Sequence, residues 1–134
     1  MNRKRIGHRA ESLACGYLKR RGLRLLSRNF RCRRGEIDLI MQDGDSLVFV
    51  EVRYRKQVHF GHAAETVSRI KQTRIIHCAR YYMNIHHSWN EPVRFDVVSI
   101  EGGPQDMKIQ GLSNPFQTGN DNENTHLLQW RVPL

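Results

Sequence analysis

The segment Ser46-Leu47-Val48-Phe49-Val50-Glu51-Val52-Arg53-Tyr54 constrains the fold more than any other part of the chain. Residues 47–50 are four consecutive apolar, β-favouring side chains with no alternation. A strand that is apolar on both faces has to be covered on both, so it belongs in the middle of a layered structure. The tight-turn signal Asp43-Gly44-Asp45 precedes it, and residues 36–41 before the turn form a second apolar run. The two runs are expected to pair as an antiparallel hairpin.

The flanking segments fit such a core. Residues 8–21 predict a helix, because Ala10, Leu13, Ala14, Tyr17 and Leu18 recur at helical spacing and Gly22 follows as a stop. Residues 23–30 predict a first strand. Residues 68–86 predict a long helix with Ser68 as its N-cap. Pro92 interrupts the chain, and residues 93–100 predict a fourth strand before the turn Gly102-Gly103-Pro104. The order α-β-β-β-α-β predicts an α/β domain, a mixed sheet flanked by helices, over residues 1–116. Residues 117–134, polar and Asn-rich at their start, are expected to form a mobile tail.

Charge narrows the function. The net charge is +9, and it is segregated. Residues 1–34 carry twelve Lys/Arg and one acid, residues 35–52 carry five acids and no base, and residues 53–80 carry seven bases and one acid. Basic blocks attract a polyanion such as nucleic acid; an acidic island between them would repel it unless a cation neutralises the island. The basic blocks could equally be the solvated faces of a globular protein. No apolar run approaches the roughly 20 residues that span a bilayer, and no apolar stretch follows the basic start. A cytoplasmic protein with no membrane partner is expected. Cys15, Cys32 and Cys78 are odd in number and far apart, and three reduced, partly buried thiols are expected rather than a disulfide framework or a zinc site. His59 and His62 have metal-ligand spacing but lack a neighbouring ligand to complete a site.

The acids themselves point to chemistry. Asp38 lies among Ile37, Leu39 and Ile40, and Glu51 among Val48, Phe49, Val50 and Val52. An ionised carboxylate inside an apolar strand needs a cation or donors close by. Across a hairpin both acids can project from one sheet face, with Arg53 on the face of Glu51. Two hard carboxylates suit Mg²⁺ or Mn²⁺ with open positions for water and a phosphate oxygen. An internal ion pair with no catalysis fits the same spacing. Glu11 is the sole acid of the first 34 residues, and the helix dipole would favour it in a first turn.

The pattern Gly35-Glu36-Ile37-Asp38-Leu39-Ile40, then Val48-Phe49-Val50-Glu51-Val52-Arg53-Tyr54-Arg55, closely resembles the uncharacterised bacterial YraN family. That family looks like a member of the restriction-endonuclease-like superfamily, near the archaeal Holliday junction resolvases. The resemblance extends over about residues 5–116, through Gly7, Glu11, Ala14, Asn29, Lys71-Gln72 and Arg94-Phe95-Asp96-Val97-Val98. It implies a restriction-endonuclease-like fold and a PD-(D/E)xK-type site. Asp38 and Glu51 would be the metal carboxylates, the Val52 carbonyl a third ligand, and Glu11 would hold a metal-bound water or a second ion. The chain departs from the pattern at Arg53, where the superfamily has Lys. Arg stays protonated and cannot act as a base, though it can neutralise charge on a phosphate. Lys71 is a candidate substitute.

Two functions follow as expectations. One is a Mg²⁺- or Mn²⁺-dependent endonuclease hydrolysing phosphodiesters in DNA, branched or damaged DNA included. The other is a catalytically inactive nucleic-acid-binding module of the same fold. A scaffold whose basic face contacts an acidic protein is a weaker third. Arg33, Arg34, Arg55, Lys56, Arg69, Lys71 and Arg74 are the expected nucleic-acid contacts, and the resolvase-like resemblance adds a homodimer as an expectation.

Overall fold

A computed structural model describes residues 2–56, 67–88 and 90–113. The elements are α1 (Arg3–Arg20), β1 (Arg24–Cys32), β2 (Gly35–Asp43), β3 (Ser46–Arg55), α2 (Arg69–His86), β4 (Val93–Glu101) and β5 (Lys108–Ser113). His59, His62 and residues 117–134 lie outside the described residues.

The five strands form one sheet in the order β1-β2-β3-β4-β5. All neighbours are antiparallel except β3 and β4, which α2 joins as a parallel pair with Phe49 beside Phe95. The doubly apolar strand β3 is central, as its composition requires. One face is covered by α2 through Ile75, Cys78, Ala79, Tyr82 and Met83, which pack on Ile37, Ile40, Leu47, Phe49, Phe95 and Val97. The other is covered by α1 through Ala10, Ala14, Cys15 and Leu18, which pack on Leu39, Met41, Val48, Val50, Val98 and Ile100. The sheet flanked by helices is therefore the mixed α/β layering that the sequence predicts.

Three differences from the sequence reading have physical causes. Helix α1 begins five residues before the expected start, because the Asn2 side chain accepts from the Arg5 N–H at 2.9 Å and caps a turn that has no apolar stripe to reveal it. Its other end closes as expected: the Leu23 N–H reaches the Leu18 carbonyl and the Gly22 N–H the Lys19 carbonyl, with Gly22 at φ 97° and Leu23 packed in the same cluster as Leu18. Strand β5 is absent from the sequence reading: Ile109 and Leu112 are three apart, off the period of two, with Gly111 between them, and a register shift in the pairing to β4 brings both to one cluster.

The third difference is a correction. Cys32 and Cys78 are joined by a disulfide across 46 residues of sequence, and only Cys15 is a free, buried thiol among the described residues. Spacing along the chain could not show this, because it is the α2 crossover that lays Cys78 on the β1–β2 hairpin. The approach is close: a Cβ at Gly35 would lie 3.3 Å from Arg74 Cβ and 3.8 Å from Cys78 Sγ.

At the turn end of the β2–β3 hairpin a buried ion pair fixes the sheet. Asp96 is 1% exposed and accepts from Arg94 Nε at 3.1 Å, while Arg94 Nη1 donates to Asp43 at 3.0 Å. Burial pushes the Asp96 carboxyl up and the Arg94 charge opposes that push.

Candidate functional site

A break in strand alternation builds the site. On β1, Arg28 reaches α1, donating to Ser12 Oγ at 3.2 Å and to the His8 carbonyl at 3.3 Å. Two residues later Phe30 packs on the α2 side, where regular pleating would keep both on one face. Asn29 between them has φ 51°, a left-handed conformation that Asn tolerates better than most residues. Across from it on β2, Ile37 faces α2 and Leu39 faces α1. Asp38 sits at this switch.

The β2–β3 ladder runs from Asp43 beside Ser46 to Leu39 beside Val50. At the next position the Asp38 side chain takes the place of a backbone acceptor: its Oδ2 accepts the Val52 N–H at 2.7 Å. Both backbone polar groups of a strand residue lie along one edge, so the Val52 carbonyl is turned toward the same gap. The expected Val52 ligand is compatible with this geometry.

The carboxylates meet in that gap, though not from a single sheet face as the alternation predicted. Glu51 follows Phe49 on the α2 side, where Lys71 Nζ lies 3.1 Å from its Oε2. Asp38 reaches it through the gap, and it also has Glu11 of α1 nearby. Burial, then the hydrogen bond and charge of Glu51, push Asp38 from an ordinary 3.8 up to about 9, against the opposing effect of the Val52 N–H. A proton is held where a cation would otherwise serve.

Glu36 is the residue that the sequence reading missed as a ligand. Carboxylate oxygens of Glu11, Glu36 and Asp38 lie within 4.8 Å of one another. The signal was present: Glu36 and Asp38 are two apart on a strand and share a side. Glu36 also pairs with Arg31 at 3.5 Å. Glu11 is not a first-turn acid, since α1 begins at Arg3, so the helix dipole does not account for it. Its Oε1 is buried without a hydrogen-bond partner, with Arg28 Nη2 at 3.6 Å. A buried carboxylate oxygen without a hydrogen bond, next to an Asp whose proton an ion would displace, is a donor set compatible with a hard divalent cation.

A sequence profile of the uncharacterised protein family UPF0102 matches residues 10–100. The chain belongs to this family. A UPF0102 protein of Nitrosococcus oceani is 48% identical over 112 residues, covering 83% of this chain and 90% of the relative. UPF0102 proteins of Pseudomonas syringae pv. syringae and Colwellia psychrerythraea are 47% and 46% identical, covering 76% and 82% of this chain and 84% and 87% of their own lengths. UPF0102 is the YraN-like family that the strand motifs resemble, and Glu11, Asp38, Glu51, Arg53 and Lys71 all fall inside the matched region.

In this UPF0102 chain the predicted basic residues divide into two groups by position. Arg33 and Arg34 form the exposed β1–β2 tip, and Arg69, Lys71 and Arg74 the exposed first turns of α2. Arg34 and Arg74, with Ile70 and Thr73, line one concavity of about 460 Å³. Ser68 Oγ accepts from the Lys71 N–H at 3.2 Å, which fixes the start of α2 and so the reach of Lys71 to Glu51. Arg55 ends β3 and exposed Lys56 follows it, and half-buried Arg53 follows Glu51 by two. No helix among the described residues is long and apolar enough to cross a membrane.

Proposed function

We propose that the chain is a metal-dependent nuclease acting on DNA, with a PD-(D/E)xK-type site on a restriction-endonuclease-like domain. The observation that carries the reading is the convergence of Glu11, Glu36, Asp38 and Glu51 where Asp38 replaces a rung of the β2–β3 ladder, beside Lys71. Glu11, Glu36 and Glu51 each face one base, Arg28, Arg31 and Lys71, and a fourth acid, Asp38, shares their site with its carboxyl pushed up to about 9 by burial and by Glu51.

Asp38 and Glu51 would hold Mg²⁺ or Mn²⁺, with the Val52 carbonyl as a third ligand and Glu11 and Glu36 toward a bound water or second ion. When bound, such an ion polarises a phosphodiester and lowers the pKa of a coordinated water. The chain's own groups do the rest. Lys71 neutralises Glu51 and would supply the ammonium that the superfamily pattern takes from its strand lysine. Arg53, permanently charged, suits stabilisation of the developing phosphate charge and cannot remove a proton. Arg33, Arg34, Arg69 and Arg74 on one side and Arg55 and Lys56 on the other would hold the backbone.

The test is a cleavage screen with Mn²⁺ over duplex, single-stranded and branched DNA, wild type against Glu51→Ala. Cleavage that is lost in Glu51→Ala supports the reading; cleavage that persists undiminished in the variant ends it. Arg53 in place of Lys favours one second reading, a nucleic-acid-binding module of the same fold without turnover. That module would bind DNA with log affinity falling linearly with log salt, and cut none of it.

A further inference from the structure

Beyond Lys71 the exposed side of α2 carries groups that the proposed hydrolysis does not use. Tyr81 is 49% exposed, a large aromatic ring left in water. It leans on Phe30 at 6.0 Å between centroids and 37° between planes, which steadies the ring without covering it. Tyr81 lines a cavity of about 510 Å³ together with Arg31, Cys32, Arg33 and His77. The Cys32–Cys78 disulfide pins this wall of the cavity, the β1–β2 tip, to the helix that carries Tyr81. Toward the start of α2 the concavity lined by Arg34 and Arg74 continues the strip. At about 1.5 Å per residue, Lys71 to Tyr81 spans about 15 Å along α2.

We propose that this strip binds an unpaired nucleic-acid strand, with a base stacked on Tyr81, about 15 Å along α2 from Lys71, and phosphates on Arg33, Arg34 and Arg74. The inference rests on the nucleic-acid part of the function proposed above and not on cleavage. Paired bases stack on one another and offer a protein their edges and phosphates; a ring face becomes available when a base is unstacked. Arginines alone would accept any polyanion. A fixed, exposed aromatic ring among them adds a preference for a free base, which an acidic peptide does not have. The carboxylate site would then act near a junction between paired and unpaired DNA.

The experiment is fluorescence anisotropy of labelled oligodeoxythymidine and of a blunt duplex, without divalent metal, against wild type, Tyr81→Ala and Tyr81→Phe. Oligodeoxythymidine affinity should fall about tenfold in Tyr81→Ala, in the range of one lost base–aromatic stack, and hold in Tyr81→Phe. Duplex affinity should change less than about twofold. Because Tyr81 is half in solvent, its variants should fold, and a thermal melt of each checks that. The proposal is overturned if the wild type does not bind oligodeoxythymidine, if Tyr81→Ala weakens duplex and single strand alike, or if polyglutamate displaces the oligomer as well as unlabelled oligomer does. A wild type that cuts nothing with Mn²⁺ yet shows Tyr81-dependent binding would sink the nuclease reading and support the strip.

Discussion

Asp38 ties stability to pH. Its folded pKa, about 9, lies above the ordinary 3.8, so the folded state binds the proton more tightly than the unfolded chain does. The stability linked to this group is complete below about 4 and is lost as pH rises through about 9. Melts of metal-free protein should therefore show Tm falling across that window. In Asp38→Asn, which is uncharged and keeps an acceptor for the Val52 N–H, the slope should flatten. Mn²⁺ should raise Tm near neutral pH in the wild type and not in Asp38→Asn; a wild-type Tm indifferent to both pH and Mn²⁺ would count against a cation site. On the proposed nuclease reading, the cations beside the acids have separate roles in turnover. Arg53→Lys should keep or raise cleavage, and Arg53→Ala should lower it by about 10²-fold, more than it lowers binding, since a charge felt mainly in the transition state acts on kcat. Cleavage undiminished in Arg53→Ala would remove that role.

Among the elements, β1 carries the bend on which the site depends. Asn29 at φ 51° moves the chain from the α1 face at Arg28 to the α2 face at Phe30. A β-branched residue is poorly suited to that conformation, so Asn29→Val should cost about 1–2 kcal/mol in a denaturant melt, with Asn29→Gly close to wild type. If Asn29→Val melts like wild type, the bend does not depend on Asn29. Helix α2 has the complementary task. Its Ser68 cap sets where the helix starts, and the start sets the reach of Lys71 to Glu51.

At the scale of the whole molecule, the disulfide joins the β1–β2 tip to α2 over 46 residues. Closing a loop of that length restricts the unfolded chain, and removing the bond should cost about 4 kcal/mol. Cys32→Ser with Cys78→Ser, or wild type under reductant, should melt correspondingly lower; equal melting of oxidised and reduced protein would show that packing alone holds the tip. The same bond holds the β1–β2 tip beside Arg74, so on the proposed function its loss should also weaken nucleic-acid binding.

The elements other than β5 were legible in the sequence because their signals are local. The apolar run at 47–50 required a central strand, the Asp43-Gly44-Asp45 turn required a hairpin, and Ser68 and Gly22 marked helix ends within a residue. Asp38 and Glu51 were conspicuous because acids inside apolar strands demand a partner. Tertiary structure decided what depends on distance across the chain. The Cys32–Cys78 bond needs the crossover that lays α2 on the hairpin. The mid-helix place of Glu11 follows from a cap at Asn2 that no periodicity announces. That Glu36 and Asp38 share a side follows from alternation, but their meeting with Glu11 of α1 depends on a break in pleating that alternation along one strand does not reveal.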